Sequence, residues 1–229
     1  KRLKGIVILG GNFARQGDKL KEIEVPFILS TIAMSDNVDK NLYSSVCVDD
    51  RKESEKAVKF LCDKGHKKIA VLAAGKSDQS ISKLRIEGYR NALKSKGIDI
   101  NEKLIRHTKN NENIQVIENG YKLMNELLES GEEFTAVYSI SDSMAIGACK
   151  AILDSGKRIP QDYSVVGFDG LDITYYYNPS ITTIRQPVEA MARETTKILF
   201  DLINNKATNQ HKVFEAELVE RESTLKLSK

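Results

Sequence analysis

Short β-branched runs alternate with longer stretches of helical period along the chain, and this rhythm constrains the fold more than any other feature. It predicts an α/β architecture built on parallel sheets. Strands are expected over residues 6–9, 27–29, 46–48, 69–73, 104–107, 136–140, 164–168, 182–184 and 213–218. A helix over 52–64 is capped by Asp49 or Asp50 and stopped at Gly65, and a second over 82–96 stops at Gly97. Ile114, Ile117, Tyr121, Met124 and Leu128 form one apolar stripe of a third helix. Ser141 or Asp142 caps a fourth, with Ala145, Ala148 and Ile152 inward and Gly156 at its end. The last covers 188–204, with Val188, Met191, Thr195, Ile198 and Leu202 along one side. These stripes read as core packing. No internal repeat is evident.

The length of 229 residues fits one to two domains, and 41% hydrophobic with 29% charged residues is globular composition. No apolar run approaches the roughly 18 residues of a membrane span. The basic start at Lys1–Lys4 leads into only four apolar residues, too few for a signal peptide core. A net charge of +3, with Lys and Glu interleaved, argues against a chain whose main task is neutralising phosphates. Cys47, Cys62 and Cys149 are odd in number and widely spaced, which suits reduced, inert thiols in the cytoplasm. His66, His107 and His211 are equally scattered, so no metal site is expected.

Motifs for chemistry are weak. Ala73-Ala74-Gly75-Lys76-Ser77 resembles the end of a phosphate-binding loop, yet the earlier glycine is replaced by Ala70. Gly10-Gly11-Asn12 lacks the third glycine of a dinucleotide fingerprint. Neither G-x-S-x-G nor H-E-x-x-H occurs. No catalytic residue and no cofactor is assigned, and the chain is not expected to be an enzyme.

Three polar positions fall where parallel-sheet proteins bind ligands, beyond the carboxyl ends of strands. Asp169 follows Val165-Val166-Gly167-Phe168, Ser141 and Asp142 follow the 136–140 run, and Arg85 lies on the first turn of the helix after 69–73. A carboxylate accepting from hydroxyls and a guanidinium donating from a fixed fork suit a small polyhydroxylated or anionic ligand. Each has a plainer alternative: Asp142 as a helix cap, Arg85 as a solvated helix charge, Asp169 as a turn cap. Within Tyr175-Tyr176-Tyr177, Tyr176 is placed as a stacking ring, against the alternative of a loop packed down by its aromatics.

Gly65-His66-Lys67-Lys68-Ile69-Ala70, Leu84-Arg85-Ile86-Glu87-Gly88-Tyr89 and Ser141-Asp142-Ser143-Met144-Ala145-Ile146-Gly147 stand in an order and spacing that resembles the LacI/GalR bacterial transcription regulators. Further on come Ile159-Pro160-Gln161-Asp162-Tyr163 leading into Ser164–Asp169, then Pro179-Ser180-Ile181-Thr182-Thr183-Ile184-Arg185-Gln186-Pro187, and the tail Leu218-Val219-Glu220-Arg221-Glu222-Ser223-Thr224. The resemblance covers essentially the whole chain.

It implies a periplasmic-binding-protein-like fold of type I: two parallel-sheet α/β subdomains joined by three crossovers, with effector between them. The expected crossovers lie near 73–75, near 185–187 and just before Val213. The subdomains would then be 1–73 with 187–210, and 75–184 with 213–229. Arg85 and Asp169 fall at effector-contacting positions, and Ser141 stands where the family often has an asparagine. The effector would be a sugar or sugar derivative, bound to control DNA affinity. A homodimer and operator DNA would be the other partners, with no membrane.

The resemblance also marks departures. Serine at 141 and Thr31 after the second strand change the usual pocket chemistry. The family's helix-turn-helix, hinge helix and two βα units precede the strand at 6–9 and do not occur in this sequence, which reads as incomplete at its start. Operator contact therefore belongs to a domain outside this chain, and specific duplex binding by these residues alone is not expected. A first subdomain without its central strand should be poorly stable. The competing reading is an exported solute-binding protein of a sugar transport system. If Arg85 and Asp169 only contact ligand, neither should be needed for folding.

Overall fold

The computed structural model describes residues 3–10, 17–32, 34, 38–75, 81–109 and 116–227. The elements in chain order begin with β1 (Ile6–Leu9), α1 (Gly17–Leu20), β2 (Phe27–Ser30), β3 (Ser44–Val48) and α2 (Asp50–Asp63). There follow β4 (Ile69–Ala73), α3 (Ile81–Ser95), β5 (Ile105–His107), α4 (Ile117–Glu129), β6 (Ala136–Ser139), α5 (Asp142–Asp154) and β7 (Ser164–Asp169). The last are α6 (Ile173–Tyr176), β8 (Thr182–Arg185), α7 (Val188–Ile203), β9 (His211–Phe214) and β10 (Glu217–Val219). This is the α/β, periplasmic-binding-protein-like arrangement, with two sheets whose strands are parallel except for β10. The expected phosphate-loop residues Lys76 and Ser77, the turn residues Gly11 and Asn12, and Ile114 lie outside the described residues.

The smaller unit takes its described residues from Lys1–Asp49, Gln79–Ile81 and Pro187–Glu215. Its four strands run β1-β2-β3-β9, all parallel. β2 is buried at every position because sheet neighbours lie on both edges and α7 packs across it. Leu20, Phe27, Leu29, Ile32 and Tyr43 form its core, with Ile6 and Ile8 of β1 packed against it. Met191, Thr195 and Ile198 of α7 are buried at helical spacing, whereas Val188 on its first turn is exposed.

The larger unit takes its described residues from Asp50–Asp78, Ser82–Gln186 and Ala216–Lys229. Its sheet is ordered β10-β8-β7-β6-β4-β5, with β10 antiparallel to β8. All five residues of β4 are buried. The boundary expected near 73–75 is therefore displaced. β4 hydrogen-bonds to β5 and β6 in the larger sheet, and the division falls between Asp49 and Asp50. The strand expected at 213–218 is likewise two strands. β9 runs parallel to β3 in one sheet, and β10 pairs with β8 in the other.

The inward face of α4 also differs from the expected stripe. Gly120, Leu123, Met124 and Leu127 are buried, while Ile117 is exposed. The reason is a close helix crossing. A Cβ on Gly120 would lie 2.1 Å from the Met144 carbonyl oxygen, and one on Gly147 would lie 2.0 Å from that of Ile117. The helix turns its glycine toward α5, and the stripe rotates with it. Cys149 is buried, Cys47 and Cys62 are half-buried, and all three are free thiols. Burial pushes the Cys62 thiol up to about 11, with Asp63 adding to the effect, which keeps it protonated and unreactive.

Candidate functional site

The carboxyl ends of β4, β6 and β7 bring the candidate residues of the larger unit together. β7 ends on Asp169 because the apolar run Val165–Phe168 fills the sheet and the next residue emerges from it. Asp169 then takes a left-handed backbone with φ of 127°, followed by Gly170 at 82°. The first turns of α3 bring Arg85, fifth residue of that helix, against the same strand end.

Arg85 is 3% exposed, so it is no solvated helix charge. Its Nε donates to Asp50 Oδ1 at 2.8 Å, and its Nη1 donates to the Ile140 carbonyl at 2.5 Å and to Asp169 Oδ1 at 3.4 Å. The guanidinium carbon lies 3.6 Å from the centre of the Phe168 ring, a cation–π contact. Burial works against the Arg85 charge, and Asp50 and Asp169 outweigh it, so the group stays protonated above its usual range. The expectation that Arg85 is dispensable for folding fails on this geometry. Removing it would take the guanidinium charge from the Asp50 carboxylate, which is 7% exposed.

Asp169 stands differently. Its side chain is 24% exposed, and Oδ1 also accepts from Gln186 Nε2 at 3.0 Å. Burial raises its pKa, while Arg85, Gln186 and the Asp142 backbone N–H pull it back down. Ser141 caps α5: its hydroxyl accepts from the Met144 N–H at 3.3 Å, and the residue is buried. The cap role weighed for Asp142 thus falls to its neighbour. Tyr176 is 77% exposed and meets Tyr175 edge-on at 5.1 Å, so this aromatic segment is not packed down. In the smaller unit, the Thr31 hydroxyl is turned to its neighbour's carbonyl, that of Ser30, at 2.7 Å.

Two participants escaped the sequence reading. Asp50 was weighed only as a helix cap, and Gln186 only as part of a motif, because nothing in either local pattern names an arginine 35 residues away or an aspartate 17 residues away. Among the described residues no group of His, Cys, Asp and Glu could hold a metal ion. Nor is any described helix long and apolar enough to cross a membrane. The arrangement offers one partly exposed carboxylate, fixed by the buried Arg85 guanidinium and the half-buried Gln186 amide, for a ligand to meet.

Residues 58–224 match the periplasmic binding protein-like domain family. The HTH-type transcriptional regulator MalR of Clostridium butyricum is 40% identical over 224 residues, covering 97% of this chain and 65% of MalR. The chain belongs to the periplasmic-binding-protein-like domain family, in the form carried by LacI-type regulators. It spans about two thirds of the length of such relatives. Among solved structures, a CelR–cellobiose complex superposes with a TM-score of 0.85 at 29% identity, covering 97% of this chain and 66% of that one. A LacI family regulator from Enterococcus faecium with bound ribose gives 0.82 at 26%, covering 98% and 81%.

Proposed function

We propose that this chain is the effector-binding part of a LacI-type transcriptional regulator, and that it binds a small sugar or sugar derivative without chemical change. The observation that carries this reading is Asp169: a carboxylate at the end of β7, partly exposed and anchored by Arg85 and Gln186. Hydroxyl donors on a polyol match such an acceptor. Arg85 supports the carboxylate from beneath, the Ser141 hydroxyl lies at the next strand end, and Tyr176 supplies an exposed ring for a sugar face. The relatives solved with cellobiose and ribose support the ligand class. The regulator acts in the cytoplasm as a homodimer, reaching operator DNA through a domain outside these residues, and effector binding changes that domain's DNA affinity.

The test is a thermal-shift and calorimetric screen of the 229-residue chain against cellobiose, maltose, ribose and their phosphates. A true effector at about 100 times its Kd should stabilise the native state by roughly 2.7 kcal/mol. Asp169→Asn should weaken its binding roughly 10- to 150-fold, the value of one charge-assisted hydrogen bond. Unchanged binding by that variant would move the ligand elsewhere.

A further inference from the structure

Asp142 is wholly buried and is not the cap of the helix it opens. Its Oδ1 accepts from the Thr183 hydroxyl at 2.6 Å. Its Oδ2 accepts from two successive backbone N–H groups, Gly170 at 2.8 Å and Leu171 at 2.7 Å. Space for the carboxylate exists because residue 167 is glycine: a Cβ there would lie 2.3 Å from Oδ1. The two amides belong to the turn that directly follows Asp169, the residue whose φ of 127° a side chain rarely adopts unaided. Three donors, two from the turn after β7 and one from within β8, thus converge on one buried side chain beside the candidate ligand group.

We propose that Asp142 is a positioning residue that clamps the turn after β7 and so fixes the backbone from which the Asp169 carboxylate is presented. What the presented carboxylate is for rests on the effector reading above, whereas the clamp is a property of the unliganded chain. The clamp does not depend on charge. With a proton on Oδ1, that oxygen donates to the Thr183 hydroxyl, which turns its own hydrogen to the Ile184 carbonyl at 3.4 Å, while Oδ2 keeps both amides. Asparagine reproduces this pattern with its amide nitrogen in place of Oδ1, and alanine reproduces none of it. The charged groups that face Asp142 are Asp169, which raises its pKa, and Arg221 at longer range. Burial is the larger cause and carries the carboxyl up to about 6.

The experiment is a pH series of 1H–15N spectra of the 229-residue chain, without ligand. In the parent, the Gly170 and Leu171 amides should titrate together with a midpoint near pH 6. Asp142→Asn should abolish that titration yet keep both amides, and the Asp169 backbone shifts, near their parent positions. Asp142→Ala should move all three residues. The proposal is overturned if the two amides do not titrate in the parent, if they titrate unchanged in Asp142→Asn, or if they stay in place in folded Asp142→Ala. Should Asp142→Ala fail to fold, the parent series and Asp142→Asn decide. With cellobiose or ribose as the probe, whichever the parent binds, Asp142→Asn should stay within about threefold and Asp142→Ala should lose tenfold or more. Failure of the effector reading appears separately, as Asp169→Asn binding the probe as tightly as the parent while the amide readout holds.

Discussion

The two ends of the six-stranded sheet carry ion pairs in opposite circumstances. At the carboxyl ends of the strands, Arg85 and Asp50 are paired out of water. At the amino ends, Lys68 pairs with Glu133 and Lys103 with Glu132, at the rim of a groove of about 450 Å³ that Tyr89 and Leu93 also line. The lysines and Glu133 there are well exposed. An ion pair is worth little in that solvated setting, where screening and side-chain entropy consume the attraction. In the buried setting desolvation offsets most of the attraction, but losing one member leaves a desolvated charge. What distinguishes the ends is therefore the penalty for disruption, and a fixed carboxylate such as Asp169 belongs at the end where that penalty is high.

The contrast can be broken most directly at Arg85. Arg85→Ala should cost about 3–5 kcal/mol in urea unfolding, because the buried Asp50 carboxylate loses the guanidinium that faces it. A loss below about 1 kcal/mol would erase the difference between the two ends. The next effect is pH-dependent. Asp142 has its folded pKa raised to about 6 from 3.8, so its ionised form costs stability as pH rises between those values. Asp142→Asn lacks that cost. Its stability relative to the parent should improve between pH 4 and 7 by up to about 3 kcal/mol, read as the difference of two melting curves at each pH. A difference that stays flat, or that falls with pH, would show that burial does not dominate at this carboxyl. The smallest change is expected at the amino ends: Lys68→Ala or Glu133→Ala should fall within about 0.5 kcal/mol of the parent. A larger loss there would mean that exposed pairs anchor the groove.

Legibility in the sequence followed how local each cause is. The 69–73 and 164–168 runs read as strands because short apolar stretches with β-branched residues need no partner to be recognised. The 213–218 stretch did not divide, since Glu215 and Ala216 carry no turn chemistry to mark where one sheet is left and the other joined. Arg85 and Asp169 stood out as charges near strand ends. Their mutual contact, and the burial that makes Arg85 structural as well, depend on Asp50 and Ile140 arriving from other elements. Ser141 and Asp142 are both good capping residues, so only the backbone decides that the first caps while the second reaches to Gly170 and Leu171.

The crossing of α4 and α5 has a consequence for how this chain can vary. Every missense change open to a glycine codon adds at least a β-carbon. At Gly120 and Gly147 that atom would meet a facing carbonyl oxygen at 2.1 and 2.0 Å, contacts no rotamer relieves because backbone stands on the other side. The helices would have to separate, at a cost typical of overpacked cores, about 1–3 kcal/mol or more. In a saturation library selected for folded protein, these two positions should return almost nothing but the parent residue. The exposed Ile117, one turn from Gly120, should accept most of the amino-acid alphabet.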